Sequence, residues 1–106
     1  MHTHSFGITV CDRTIRAFGE IDLAVTEQLR DTIICAAENV GQHTIVLDMA
    51  WVTFLDSAGT GALIEAHKRV EALGKVLVLQ SVPPFVARVM RLSGVMDYLN
   101  VRSVLV

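Results

Sequence analysis

The chain has 106 residues, 52% of them hydrophobic and 19% charged, with a formal net charge of -2. That length supports one domain, spanning 1–106, able to bury a core without disulfides or metals, and the apolar content excludes a disordered chain. The mild acidity, with Lys and Arg scattered, excludes the basic field that would attract nucleic acid or anionic lipid.

Extended structure opens the chain. Phe6, Ile8 and Val10 alternate with Gly7 and Thr9, and after Cys11-Asp12-Arg13 a second run from Thr14 to Gly19 carries Ile15 and Ala17 on one side, which together predict a hairpin. The period then becomes helical over Leu23 to Val40, with Val25, Leu29, Ile33, Ala36 and Val40 in one stripe and Gly41 as the stop. Thr44 to Met49 is a short, nearly continuous apolar run, the pattern of a buried strand, and Val76 to Leu79 repeats it.

Between those runs, Ser57 to Leu73 places Ala58, Ala62, Leu63, Ala66, Val70 and Leu73 at helical spacing, closed by Gly74. Strand, helix and strand make a βαβ unit with a right-handed crossover. A last helix starts near Pro83-Pro84, carries Phe85, Val89 and Leu92, and stops at Ser93-Gly94. Val95 to Val106 is short and apolar enough to pack back on the domain. Met90, Met96 and Leu99 in this region suit a core more often than a partner surface. The order β-β-α-β-α-β-α predicts a mixed sheet with helices laid on it.

Cys11 and Cys35 lack the Cys-x-x-Cys spacing of a zinc knuckle or a redox motif, and are expected as reduced core thiols. The opening Met1-His2-Thr3-His4-Ser5 has no positive region leading into an apolar run, and no segment reaches the length of a membrane span. A cytoplasmic location without a membrane partner is the expectation. His2 and His4 lack a further ligand nearby, so no metal is expected there.

One hydroxyl stands apart. Ser57 lies in Asp56-Ser57-Ala58-Gly59, at a helix start where unpaired backbone N–H groups and the positive end of the helix dipole converge. A hydroxyl there can cap the helix or, once esterified, carry a phosphate, and the residues alone leave both roles open. The small residues Ala58, Gly59 and Gly61 suit close approach by a kinase, and equally suit close helix-to-strand packing.

Catalytic readings fare poorly by comparison. Asp22 and Asp56 have no second strong acid–base group near them in sequence and read as loop and cap carboxylates. Ser57 and His67, ten residues apart on one helix, are separated by roughly 15 Å along its axis. The setting of Ser57 is not the Gly-x-Ser-x-Gly of a hydrolase elbow, and Ser57-Ala58-Gly59-Thr60-Gly61 lacks the Gly-x-x-x-x-Gly-Lys spacing of a phosphate loop.

Three pieces together carry a family resemblance: Gly19-Glu20-Ile21-Asp22 with Leu29; Leu47-Asp48-Met49 through Val52-Thr53-Phe54-Leu55-Asp56-Ser57-Ala58-Gly59 and Leu63; and Val89-Met90-Arg91-Leu92-Ser93-Gly94-Val95. The chain resembles, along essentially its whole length, a STAS domain of the anti-sigma-factor antagonist type. The resemblance implies an α/β fold with a mixed sheet of four to five strands and three to four helices. It also implies a regulatory binding protein of bacteria rather than an enzyme, with no cofactor.

In that family the serine of the Asp-Ser-x-Gly step is phosphorylated by a partner that is both anti-sigma factor and serine kinase, and the resemblance puts that role on Ser57. Asp22, Asp56, Ala58, Gly59 and Thr60 are then the expected partner-binding residues. The unmodified antagonist binds the anti-sigma factor and frees sigma for transcription, the phosphorylated form lets go, and a serine phosphatase resets it. Trp51 stands where a small or turn residue is usual, and Thr60, where an aliphatic is frequent, is a second candidate acceptor. STAS domains also serve as constitutive scaffold subunits of lipid-transport or sensory assemblies, which is the alternative role.

Overall fold

A computed structural model describes residues 5–39, 41 and 43–105. The hairpin forms as the alternation requires: β1 (Phe6–Cys11) pairs antiparallel with β2 (Thr14–Ile21) in unbroken register from Phe6↔Gly19 to Cys11↔Thr14. Its two-residue turn holds Asp12 at φ 58°, a left-handed conformation that Asp tolerates better than most side chains. β3 (Thr44–Leu55), β4 (Val76–Gln80) and β5 (Asn100–Val101) follow in parallel, giving one mixed sheet of order β1-β2-β3-β4-β5.

Every parallel crossover steps the same way through this sheet, so right-handed connections lay their helices on one face. The helices are α1 (Thr26–Ala37), α2 (Ser57–Ala72) and α3 (Pro84–Leu92), with a 3₁₀ turn at Leu23–Val25 ahead of α1. Under them lies the core: Ile15, Ala17, Ile45, Leu47, Met49, Leu77 and Leu79 from the strands meet Leu29, Ile33, Leu63, Ala66, Val70 and Met90 from the helices. The opposite sheet face stays near solvent. It carries Arg16, paired with Asp48 at 3.4 Å, beside the neighbouring aromatics Phe18 and Trp51, which are 39% and 67% exposed.

Several boundaries differ from the sequence expectation. The segment expected as helix from Leu23 starts as a 3₁₀ turn, because the Asp22 carboxylate accepts from Ala24 N at 3.0 Å and tightens the entry. The helix proper ends at Ala37, where Lys75 Nζ donates to the carbonyls of Ala37 and, at 2.7 Å, Asn39. Val40, the expected end of the stripe, lies outside the described residues, as do His2 and His4. On α3 the core positions are Val86, Ala87 and Met90, while Phe85 and Leu92 stand outward at 42% and 80% exposure.

The largest difference is β3, which runs to Leu55 instead of stopping at Met49. Between Arg16↔Asp48 and Ile21↔Leu55, β2 advances five residues and β3 seven, through two register shifts. Each inserted residue is a bulge. The first is held by Asp48 Oδ1, which accepts from Ala50 N at 3.0 Å. Core positions therefore fall at Ile45, Leu47 and Met49 and then at Val52 and Leu55, with Val46 also buried but outside the core cluster, so the period of two breaks where the strand continues.

The cysteines correct another expectation. Cys11 and Cys35 are free thiols but exposed, at the end of β1 and on the outer side of α1, and not in the core. The tail packs back as expected, with β5 on β4 and a bridge between Val82 and Val104, and with Leu99 and Met90 buried.

Candidate functional site

The parallel strands β2 and β3 end side by side, and each hands over to a helical turn through an aspartate. Asp56 N donates to Ile21 O at 3.3 Å, which ties the end of β3 to the last residue of β2. Asp22 follows Ile21 directly and opens the 3₁₀ turn, which packs against α2. The two carboxylates and the start of α2 are therefore placed together by adjacent strand ends, and both aspartates act as caps, as their sequence setting suggested.

At α2 the cap is Asp56, not Ser57. Asp56 has extended backbone angles (φ -106°, ψ -174°), and its Oδ1 accepts from Gly59 N at 2.8 Å. Its carbonyl accepts twice, from Thr60 N at 2.9 Å and Thr60 Oγ1 at 3.0 Å. Ser57 is thus the first helical residue, exposed, and its hydroxyl is not needed to satisfy the helix start. Helix geometry leaves the N–H groups of Ser57 and Ala58 unbonded within the helix, at the positive end of its dipole.

The other expected binding residues divide by depth. Asp22 and Asp56 are partly exposed, and Ala58 is half-buried beside Ser57. Gly59 and Thr60 are buried, Thr60 to 6% exposure with its hydroxyl donated inward, so these two shape the site from beneath and offer a visitor little surface. For the same reason Thr60 is poorly presented as a second acceptor.

Gly59 has a clear steric reason. A Cβ there would stand 2.7 Å from Ile21 O, 2.7 Å from Leu55 Cδ1 and 2.8 Å from Ile21 Cγ2. Glycine lets α2 begin hard against the end of β2, which fixes Ser57 at the rim of the sheet. Gly61 meets nothing within 4 Å and has no comparable demand.

One residue at the rim of the candidate site carries no clear signal in the sequence. Leu23, next to Asp22, is 75% exposed, an apolar side chain standing out at the same rim. Its only sequence signal was an apolar residue directly after a capping aspartate, which reads equally well as a helix start. His67 is far along α2, as its spacing required. It is 3% exposed, with Nε2 3.4 Å from Glu71 Oε1, its ring 5.0 Å edge-on to Tyr98, and Nδ1 without a partner. Among the described residues no group of three or more His, Cys, Asp or Glu is placed to hold a metal ion, and no helix is long and apolar enough to cross a membrane.

Comparison with known proteins agrees with this geometry. A family model described as STAS domain matches residues 7–105. An anti-sigma F factor antagonist from Lysinibacillus sphaericus is 31% identical over 80 residues, covering 76% of this chain and 68% of that protein. The solved structure of the anti-sigma factor antagonist SpoIIAA in its unphosphorylated form superposes with a TM-score of 0.69 at 26% identity, over 93% of this chain and 89% of that one. SpoIIAA of Bacillus in its phosphorylated form superposes at 0.64 with 25% identity, over 93% and 92%. Matched from residue 7 to residue 105, the chain belongs to the STAS domain family, among its anti-sigma factor antagonists.

Proposed function

We propose that this protein is a phosphorylation-controlled antagonist: unmodified, it binds an anti-sigma factor that is also a serine kinase, and phosphate on Ser57 releases it. The observation that carries this reading is the exposed Ser57 hydroxyl at the first residue of α2, held at the sheet rim by the Asp56 cap and the close seat of Gly59. Solved structures of a similar antagonist in unphosphorylated and phosphorylated forms support it. Asp22, Asp56, Ala58 and the outstanding Leu23 form the contact surface, with Gly59 and Thr60 as its floor.

The physics of the switch follows from charge at an interface. A phosphate brings roughly -1.5 to -2 charges and three strong acceptors. At the start of α2 the helix dipole favours it by about 0.3–1 kcal/mol, so the domain stays folded when modified. A partner surface fitted to a neutral hydroxyl beside two carboxylates meets instead a buried dianion without a counter-charge, and binding weakens steeply. The protein needs no chemistry of its own, since the kinase and a phosphatase make and remove the ester. Sigma-dependent transcription then follows the fraction of molecules left unmodified.

Incubation with the cognate anti-sigma kinase and ATP, followed by mapping of phosphate by mass spectrometry, tests the assignment. Modification at Ser57 is expected, and label elsewhere with none on Ser57 overturns it. Ser57→Ala should bind the partner within about threefold of wild type, and Ser57→Asp at least about tenfold more weakly, a difference of about 1.4 kcal/mol. Equal affinities for the two variants would remove the charge mechanism. A constitutive scaffold role would leave Ser57 unlabelled by any kinase, so the same phosphate map separates the two readings.

A further inference from the structure

Aspartate is depleted within strands, yet Asp48 stands well inside β3, half-buried, at the place where the ladder to β2 changes step. Its Oδ1 accepts from Ala50 N at 3.0 Å, and its Oδ2 faces Arg16 Nε of β2 at 3.4 Å. A side-chain oxygen bonded to the amide two residues ahead is a turn that the short side chains of Asp and Asn make.

Arg16↔Asp48 is the last pair before the first shift. Beyond it Phe18 lies opposite Trp51 and not Ala50, and beyond the second shift Glu20 lies opposite Phe54. The second shift sits at Gly19, whose φ of 93° suits glycine and whose Cβ would meet Ser5 O at 2.1 Å. Each shift turns the following residues of β3 to the other face of the sheet. Val52 is therefore buried while Trp51 stands outward, and Leu55 is buried while Phe54 stands outward. Two shifts together restore the original phase, displaced along the strand by two residues.

That displacement decides what meets at the rim. Counted one for one from Arg16↔Asp48, Ile21 would stand opposite Thr53, whereas it stands opposite Leu55. Two residues of a parallel strand span about 6–7 Å. The shifts draw the end of β3 back by that length, so that Asp56 N reaches Ile21 O at 3.3 Å and α2 begins level with Asp22. On an unshifted ladder Ser57 would stand out beyond Asp22 by the same length.

We infer that Asp48 is a positioning residue for Ser57: by holding the first bulge through the Ala50 N–H, it sets the register that brings the hydroxyl level with Asp22. This role rests on the phosphorylation of Ser57 proposed above, and it belongs to the acceptor oxygen of Asp48 and not to its charge. Arg16 is exposed, and an ion pair so open to water adds little to the register.

Initial rates of Ser57 phosphorylation by the cognate anti-sigma kinase test the assignment. Asp48→Asn loses the charge but keeps an oxygen for Ala50 N, and should keep kcat/KM within about threefold of wild type. Asp48→Glu keeps the charge on a side chain too long for the two-residue turn, and kcat/KM should fall at least about tenfold. Arg16→Met should behave as wild type. Lys75→Met, which loses its bonds to the Ala37 and Asn39 carbonyls at the opposite end of the sheet, controls for lowered stability alone and should also stay within about threefold.

Hydrogen exchange at the Asp56 amide, followed by NMR, reads the register without any partner. It should quicken at least about tenfold in Asp48→Glu and stay near the wild-type rate in Asp48→Asn and Lys75→Met, since local opening at the rim is separate from global unfolding. Wild type left unlabelled at Ser57 defeats the proposed function. Wild type labelled, with Asp48→Glu labelled equally fast, defeats the role of Asp48 alone. Equal losses in Asp48→Asn and Asp48→Glu would make charge the cause, and an equal loss in Lys75→Met would make it stability; either result overturns the assignment.

Discussion

Two glycines in the first turns of α2 should respond to the same substitution with opposite signs. At Gly59 an added methyl meets the Ile21 carbonyl at 2.7 Å, which is backbone held in the sheet, as well as Leu55 Cδ1 and Ile21 Cγ2. The leucine methyl can rotate aside, but the carbonyl can yield only if the helix start lifts away from β2. Overpacking of this kind costs about 1–3 kcal/mol, and the upper half of that range applies because backbone is the obstacle. At Gly61 a methyl meets nothing within 4 Å, and replacing glycine in a helix with alanine gains about 0.8–1 kcal/mol of propensity.

The two variants should therefore differ by roughly 3–4 kcal/mol. By the usual scaling of about 4–8 °C per kcal/mol for a domain near 100 residues, Gly59→Ala should melt roughly 10 °C lower and Gly61→Ala several degrees higher than wild type. Urea titrations followed by far-UV circular dichroism measure the difference directly. Trp51 is a poor fluorescence probe for this purpose, being largely exposed in the folded state. If Gly59→Ala lay within about 0.5 kcal/mol of wild type, or Gly61→Ala fell with it, the close seating of α2 on β2 would be refuted.

Two further outcomes follow from side chains at the margins of the core. Lys75→Met keeps the aliphatic stem but removes the ammonium that holds the Ala37 and Asn39 carbonyls, and should cost about 1–3 kcal/mol in the same titration. Cys11 and Cys35 should both react with a thiol-specific disulfide reagent in the native protein, giving two equivalents without denaturant. A slow fraction that appears only on unfolding would return one of them to the interior.

The parts of the fold that were legible in sequence are those where one period holds over a whole element. Val25, Leu29, Ile33 and Ala36 are buried along their stripe, as are Ala62, Leu63, Ala66 and Val70, and the hairpin follows its alternation. β3 was cut short because two bulges change the spacing of its buried residues from two to three after Met49, and periodicity carries no signal for a strand that changes phase. The face of α3 was misjudged for a different reason. Phe85 and Leu92 are the larger side chains, yet the turn at Pro83-Pro84 sets the helix so that Val86, Ala87 and Met90 point inward.

At the site, Ser57 could be placed at a helix start and both aspartates as loop or cap carboxylates from sequence, but their position at adjacent strand ends, the depth of Gly59 and Thr60 and the prominence of Leu23 depend on how closely α2 meets β2. That distance is a tertiary quantity. The thiols were misplaced because small apolar residues are buried on average, while Cys11 ends an edge strand and Cys35 sits on the outer side of α1.

The division of labour between Asp56 and Ser57 has a practical consequence. Because the carboxylate anchors the amino end of α2, the neighbouring hydroxyl carries no mechanical duty, and whatever is attached to it can come and go without wear on the scaffold. Residue 57 can therefore accept a wide alphabet of replacements, including analogues of the proposed phosphate ester, each testing the proposed recognition and not foldedness. A residue relieved of architecture in this way is one that can be rewritten alone.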